Sequence, residues 1–251
     1  MPALVPSDRG QGPVVVLVHG VGVGPESFAR VAELLEDHHR VVVLERPAGP
    51  GGTALTLAAQ SERLAGILPV VGGAGARLVG VSGGATLGLH LAIHHPGLVD
   101  ELVLHEPLVG ALAPDLHQQF LRSAAAAATS EAEAMDVVRA VMGDATWSAL
   151  DPDAQARSDA QAPRWRGEIA EFASFDPTIA QLAALVPLPI LATIGARSGP
   201  ERWAAGEILR RWSHAELVEI PGAGNAVQLD APDAFVDAIS AWRTVPVGGL
   251  T

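Results

Sequence analysis

The residues with the clearest capacity for chemistry form the pentapeptide Gly80-Val81-Ser82-Gly83-Gly84, a G-x-S-x-G sequence. A β-branched run precedes it and a stretch with helical spacing follows it, so Ser82 is predicted to lie on a sharp strand-to-helix turn. Such a turn strains the serine backbone, requires small residues on both sides and raises the hydroxyl above the edge of a sheet. The alternative is a glycine-rich turn with an incidental serine.

Short apolar strands alternate with helices on both sides of this turn, and this alternation is typical of a doubly wound, mostly parallel sheet. We predict an α/β fold whose core comprises residues 1–107 and 186–251. Residues 108–185 are alanine-rich and show no convincing strand, which indicates an inserted helical cap over the sheet edge where α/β proteins bind ligands. Strands are predicted within residues 13–20, 40–47, 76–84, 99–107, 188–195 and 215–222, and a closing helix at 231–245.

The composition argues against several classes of function. The 251-residue chain has a formal net charge of −12, which opposes nucleic-acid binding, and it has no cysteine for disulfides or thiol chemistry. No apolar run approaches the roughly 18 residues of a membrane span, and the N-terminus lacks the pattern of a signal peptide. We therefore expect a cytoplasmic protein that acts on a small-molecule substrate, with no cofactor, no metal, no nucleic-acid partner and no membrane partner. The oligomeric state is left open.

The order of elements, the His19-Gly20 pair, the turn at Ser82 and the stretch "PGAGNAVQLDAPDAF" (221–235) together resemble the α/β-hydrolase superfamily over nearly the whole chain. The resemblance implies that Ser82 is the nucleophile. It also implies an oxyanion hole formed by the backbone N–H groups of Val21 and Gly83. His19 is predicted to lie at the substrate-binding site, where a structural role in hydrogen-bonding the loop is favoured over a catalytic one.

A dinucleotide-binding fingerprint is the rival interpretation of the early glycines. A strand, Gly20-x-Gly22, a helix and Glu45 at the end of the next strand imitate that motif. Pro25 occupies the position of the third glycine, and the motif leaves His19 and the serine turn unexplained. The rival is therefore not favoured.

Two positions depart from the family pattern. Asn225 stands where the resemblance implies the catalytic histidine, and Ser198 stands where it implies the aspartate of a G-x-x-D sequence. Some members of the family take the acid from the end of the preceding strand, where this chain has Glu106. Asp176 and Asp230 are weaker candidates for the acid.

Asparagine does not titrate near neutral pH, so Asn225 cannot carry the serine proton to a leaving group. The other histidines offer no evident replacement. His105 is predicted to point away from Glu106 if the strand continues, because side chains alternate along a strand. His117, in the predicted cap, is the histidine that could swing toward the site.

Three hypotheses follow. The chain is a triad hydrolase carrying an introduced His→Asn change, or Asn225 is natural and the site runs a lyase, cyclase or isomerase step, or the protein binds a ligand in a decayed site. The intact serine turn favours the first two, because a binding scaffold has no need of a strained serine. The alanine-rich cap with Trp147 and Trp165 suggests an apolar substrate pocket, and the alternative is that either tryptophan belongs to the core. The identity of the substrate is left open.

Overall fold

The computed structural model describes residues 5–72 and 75–242. Seven strands form one sheet in the order β1-β3-β2-β4-β5-β6-β7. β1 pairs with β3 antiparallel, and every other neighbouring pair is parallel. The strands are β1 Ser7–Arg9, β2 Val14–Val18, β3 Arg40–Leu44, β4 Arg77–Val81, β5 Glu101–His105, β6 Ile190–Gly195 and β7 Glu216–Ile220.

The described helices cover both faces of the sheet, as expected for a doubly wound fold. They are α1 Ala29–Leu35, α2 Leu57–Val71, α3 Gly83–His94, α4 Pro114–Ala127, α5 Glu131–Met142, α6 Asp144–Ala149, α7 Pro152–Ala160, α8 Ala162–Ala173, α9 Ile179–Ala183, α10 Pro200–Trp212, α11 Val227–Asp230 and α12 Pro232–Ala241. Short 3₁₀ turns occur at Pro25–Phe28, Pro50–Gly52 and Gly110–Leu112. None of the described helices is long and apolar enough to span a membrane.

The two faces of the sheet bury separate sets of side chains. The alternating residues of β2 show the division, because Val16 and Val18 pack with α2, α3 and α10, whereas Val15 and Leu17 pack with α1 and α12. A strand covered on both faces reads as a continuous apolar run, and VVVLV in β2 has that pattern. The α/β prediction with a doubly wound, mostly parallel sheet is confirmed.

Residues 108–185 contain α4 to α9, and none of these residues forms a strand. The segment lies between β5 and β6 in the chain, and α4, α5 and α8 contact one another. A third apolar cluster lies largely within it, around Met135, Val138 and Trp165. We refer to residues 108–185 as the helical segment.

The structure adds one strand to those predicted from the sequence. The strand β1 was not predicted, because a three-residue polar strand, Ser-Asp-Arg, has no apolar periodicity and is defined by its pairing with β3. The closing helix predicted at 231–245 is observed as α12, and its residues 243–245 lie outside the described part. The outer ends of the predicted core, 1–4 and 243–251, also lie outside it.

Candidate active site

Ser82 lies at the turn between β4 and α3, at the centre of the sheet. Its backbone angles are φ 53° and ψ −117°, and α3 begins at the next residue. A non-glycine residue with positive φ is strained. The predicted strand-to-helix turn is therefore confirmed.

Gly84 explains why this turn requires glycine on its helical side. A methyl group added at Gly84 would come within 2.1 Å of the Val18 carbonyl oxygen, a backbone atom that cannot move aside. Gly80 is equally close to the first turn of α3, because its added methyl group would lie 2.5 Å from the Gly84 carbonyl oxygen. The strand and helix can approach this closely only without side chains at these positions.

The loop after β2 runs beside Ser82. A methyl group added at Gly20 would meet the Ser82 Cβ at 3.2 Å, so the loop and the serine are in contact. Val21 and Gly83 line the same cavity as Ser82. Among the described residues, no hydrogen bond from the Val21 or Gly83 N–H to another group is observed. Both donors are therefore available to an oxygen atom bound beside Ser82.

Glu106 follows the last residue of β5 and is 1% exposed. Its φ of 52° turns the chain out of the strand direction. The side chain accepts hydrogen bonds from the Gly195 N–H at 3.0 Å, from the Ser198 hydroxyl and from Asn225 Nδ2 at 2.9 Å. The structure thus brings Glu106, Ser198 and Asn225 together at the ends of three adjacent chain segments.

Glu106 is held as a carboxylate by its surroundings. Burial alone would raise its pKa, but the nearby His105 ring, the Arg202 guanidinium and the hydrogen bonds from Ser198 and Asn225 bring the pKa below its ordinary value. Arg202 Nε lies 3.7 Å from Glu106 Oε2. Burial also lowers the pKa of His105. A neutral His105 leaves Arg202 and the hydrogen-bond donors as the groups that stabilise the negative charge at neutral pH.

The amide of Asn225 has a defined orientation. A carboxylate only accepts hydrogen bonds, so the atom of Asn225 that faces Glu106 is the nitrogen, Nδ2. The side-chain oxygen Oδ1 is left as an acceptor. Asn225 lines the same cavity as Ser82.

The histidines do not supply a base to this cavity. His105 Nε2 lies 3.7 Å from Glu106 Oε1. The two side chains are closer than neighbours in an extended strand would be, because β5 ends at His105. Its two ring nitrogens are occupied by Thr193 Oγ1 and the Gly224 carbonyl oxygen, each at 3.0 Å. His117 Nε2 lies 3.2 Å from the Ala173 carbonyl oxygen. Neither histidine lines the cavity.

The other carboxylates considered from the sequence have structural partners. Asp176 accepts a hydrogen bond from the Ala111 N–H at 2.8 Å. Asp230 accepts one from the Gly224 N–H at 2.8 Å and pairs with Arg197 at 2.6 Å. Asp230 thereby holds the loop that carries Asn225. No group of three metal-ligating side chains is observed within residues 5–72 and 75–242.

The cavity beside Ser82 is mainly apolar, and the helical segment supplies most of the apolar side chains of its wall. The lining side chains from that segment are Leu108, Phe120, Val137, Val138, Val141, Met142, Ile169 and Phe172. The polar contributions come from Ser82, Thr86, Glu106, Arg202, Asn225 and Gln228. The pattern suits a ligand with an apolar body and one polar centre near Ser82.

Three residues predicted to contact substrate lie away from this cavity. Trp165 is fully buried, and its indole N–H donates to the Ser158 carbonyl oxygen at 3.0 Å. Trp147 packs under the Arg139 guanidinium, 4.9 Å from the ring centre. His19 is fully buried beneath the loop after β2. None of the three lines this cavity, and their role as substrate contacts stays a prediction.

Sequence reasoning did not identify Arg202, Phe172 and Gln228 as cavity residues. Arg202 lies in the first turn of α10, and its guanidinium is close to both Glu106 and the Phe120 ring. Phe172 comes from α8, whose apolar face could have been identified by its spacing. Gln228 is 2% exposed, and no periodicity marks it as a cavity residue.

A wider and more polar groove opens beside the apolar cavity. The two spaces share seven lining residues, which are Glu106, Phe120, Val137, Val141, Met142, Arg202 and Asn225. The groove continues between α5, the start of α6 and the β6–α10 loop, where it is lined by Asp136, Asp144, Thr146, Arg197, Ser198 and Glu201 among others. A bound molecule can therefore extend from the apolar cavity past Asn225 into this groove.

A family model for the α/β hydrolase family matches residues 15–238. The chain belongs to the α/β hydrolase family. An uncharacterized hydrolase, YraK, of Bacillus subtilis is 34% identical over 125 residues, which cover 46% of this chain and 44% of that protein. The pimeloyl-[acyl-carrier protein] methyl ester esterase of Vibrio vulnificus is 39% identical over 95 residues, covering 38% of this chain and 37% of the esterase. Each alignment thus spans less than half of the relative.

The solved structure of an enol-lactonase from Burkholderia xenovorans superposes with a TM-score of 0.75 at 18% identity, covering 95% of this chain and 98% of that one. At this identity the similarity concerns the fold. Together with the family match, it establishes the α/β-hydrolase architecture independently of the residues at the site.

Proposed function

We propose that the protein is an ester-binding enzyme of the α/β-hydrolase type whose acyl-transfer machinery lacks its base. Ser82 is the nucleophile position, the Val21 and Gly83 N–H groups form the oxyanion hole, and Glu106 orients residue 225. The observation that carries the proposal is the 2.9 Å hydrogen bond between Asn225 Nδ2 and Glu106 Oε2, in a cavity that also contains Ser82.

The substrate class follows from the two adjoining spaces. The apolar cavity suits the acyl part of a small ester, and the polar groove suits the alcohol part that departs after attack. The carbonyl carbon would lie above Ser82, with its oxygen between the two N–H donors. The esterase among the relatives supports an ester substrate.

The missing step is proton transfer. In ester hydrolysis a base takes the Ser82 hydroxyl proton while Oγ bonds to the carbonyl carbon, and then returns the proton to the departing alcohol. Water repeats the sequence to release the acid. The amide of Asn225 can accept a hydrogen bond through Oδ1 but cannot take up the proton. The protein with Asn225 is accordingly a weak esterase.

Restoring the base tests the proposal. Asn225→His should raise the turnover of p-nitrophenyl butyrate about 10²- to 10⁴-fold, the usual contribution of general acid–base catalysis. Glu106 would hold the new imidazole as it holds the amide. Adding Ser82→Ala should remove the gain, and Asn225→Gln, which cannot titrate, should show none. Unchanged turnover in Asn225→His would contradict the proposal.

The completeness of the hydrogen bonding at Glu106 favours a second candidate, a non-hydrolytic lyase, cyclase or isomerase step with natural Asn225. Ser198 and Asn225 both donate to Glu106, so the two departures from the family pattern fit together. In such a site, a neutral Ser82 hydroxyl and Asn225 would bind and polarise a substrate carbonyl. Product analysis of carbonyl compounds incubated with the unmodified protein would distinguish isomerised or cyclised product from hydrolysed product.

A further inference from the structure

A buried cluster of charged side chains lies beneath the loop after β2, and the chemistry proposed above does not use it. Arg46 and Glu168 are both fully buried, and Arg46 Nη2 lies 2.7 Å from Glu168 Oε2. Arg164 joins Glu168 at 2.9 Å and Glu45 at 3.0 Å, so two cations face two anions. Burying charge is costly even when it is paired, so such a cluster calls for a specific role.

Side chains at this cluster hydrogen-bond to one backbone carbonyl, that of Gly20. The Gly20 carbonyl oxygen accepts a hydrogen bond from Arg46 Nη2 at 3.2 Å and lies 2.9 Å from His19 Nδ1. The Arg46 backbone N–H donates to His19 Nε2 at 3.2 Å, which places the imidazole proton on Nδ1, directed at the same carbonyl. Two donors therefore converge on Gly20.

The Gly20 carbonyl and the Val21 N–H belong to one peptide unit. No cis peptide bond occurs among the described residues, so this unit is trans and planar, and its C=O and N–H point in opposite directions. Holding the carbonyl against Arg46 turns the Val21 N–H away from the cluster. Gly20 contacts Ser82 and Val21 lines its cavity.

We propose that Arg46 and Glu168 are positioning residues that hold the Gly20–Val21 peptide with its N–H available to the substrate oxyanion. Glu168 lies on α8, so the helical segment helps to orient the Val21 N–H, which belongs to the loop after β2. This inference rests on the oxyanion role proposed above for Val21.

A second contact anchors the same loop from the helical segment. Ser158 Oγ donates to the Gly22 carbonyl oxygen at 2.7 Å, and the Trp165 indole N–H donates to the Ser158 carbonyl oxygen. The Gly22 carbonyl is thus fixed by Ser158 of α7, and the Gly20 carbonyl by Arg46, which lies two residues after β3. A loop held at two points cannot rotate one peptide without breaking buried hydrogen bonds.

The test uses the Asn225→His background and the variant Arg46→Lys. Lysine keeps the charge but lacks the planar fork that reaches Gly20, Glu168 and Gln60 together. We expect kcat for p-nitrophenyl butyrate to fall about 10²-fold, the usual result of losing one oxyanion donor, with little change in KM. Glu168→Ala should act in the same direction, and Glu168→Gln, which retains an acceptor for Arg46, should restore much of the rate.

Arg77→Lys is the matched control, because Arg77 pairs with Glu101 at the other end of β4, away from the site. Thermal melting of each variant separates lost rate from lost folding. If Arg46→Lys and Arg77→Lys lower kcat equally, or if Arg46→Lys changes only KM, the positioning role is wrong.

A crystal structure of Arg46→Lys with Asn225 retained tests the inference even if Asn225→His fails to hydrolyse esters. A rotated Gly20–Val21 peptide would support the positioning role. An unchanged peptide would overturn it, whatever reaction the site performs.

Discussion

The two sides of the candidate site are built in different ways. The elbow side, Gly20, Val21, Ser82 and Gly83, is made of backbone and is fixed by close contacts and positive φ. The strand-end side, Glu106, Ser198 and Asn225, is made of side chains that satisfy one another's hydrogen bonds. A family member can therefore exchange residues on the strand-end side without leaving a buried polar group unpaired, whereas the elbow side permits little change.

The largest expected effect is at Gly84, the residue that directly follows the elbow side in the chain. Gly84→Ala should destabilise the protein by about 3 kcal/mol or more, because the new methyl group meets the Val18 and His19 carbonyl oxygens. Urea unfolding followed by circular dichroism measures the change. Gly66→Ala is the control, since nothing lies within 4 Å of a methyl group there and helix α2 should gain up to about 1 kcal/mol. Similar stabilities for the two variants would refute the contrast.

A smaller effect is expected on the strand-end side. Glu106→Gln should cost about 2 kcal/mol at pH 7, because Arg202 loses its carboxylate while the new amide oxygen still accepts hydrogen bonds. Since the pKa of Glu106 is held below its ordinary value, its stabilisation is present above the unfolded pKa of about 4.3 and is lost as the pH falls through the folded pKa. The difference between the variant and the parent should therefore shrink in acid.

Urea midpoints at pH 7 and near pH 3.5 measure this convergence. Asp8→Asn serves as the control, because Asp8 is a partly exposed carboxylate whose pKa is lowered by a hydrogen bond from Arg40. Exposed pairs contribute little stability, so its midpoint should hardly move. A gap between Glu106→Gln and the parent that stays constant with pH would show that the carboxylate charge is not the stabilising feature.

The smallest expected effect is a pH-dependent change in stability at His90, on the helix that follows Ser82. Burial, with repulsion from His94 and His95, lowers the pKa of His90 on α3 to about 4. The unfolded chain then binds a proton that the folded chain does not, so stability falls as the pH drops from about 6.5 to 4. His90→Gln should reduce the loss of Tm between pH 7 and pH 5. The exposed His38→Gln is the control, and an equal response of the two variants would contradict the assignment.

Much of the fold was predictable because apolar runs and glycine positions record it directly. The six parallel strands and the turn at Ser82 are visible in the sequence. That Ser198 and Asn225 depart from the family's catalytic pattern remains a prediction. The structure brings Ser198 and Asn225 into hydrogen-bond contact with Glu106. The catalytic roles of Ser82, Glu106 and Asn225 remain predictions.

The rest depends on how the helical segment packs, which periodicity does not specify. Trp147 and Trp165 were expected at the substrate, but large aromatic side chains in amphipathic helices are equally suited to the interior. Glu106 has a positive φ, which no residue pattern in the sequence predicts. The change of backbone direction at Glu106 brings the His105 ring closer to the Glu106 carboxylate than alternation along a strand would allow. The role of Arg46 was not predicted, because its partner Glu168 lies 122 positions away in the sequence and no local pattern links the two residues.

The separation of Arg46 and Glu168 along the chain has a consequence for recombination between relatives. A chimera that receives residues 108–185 from another family member keeps Arg46 and Glu45 but replaces Glu168 and Arg164, the two residues with which they pair. Unless the donor segment supplies matching charges, the product buries an unpaired guanidinium and should misfold or aggregate. Exchange of substrate preference by transplanting the helical segment therefore requires positions 45 and 46 to travel with it.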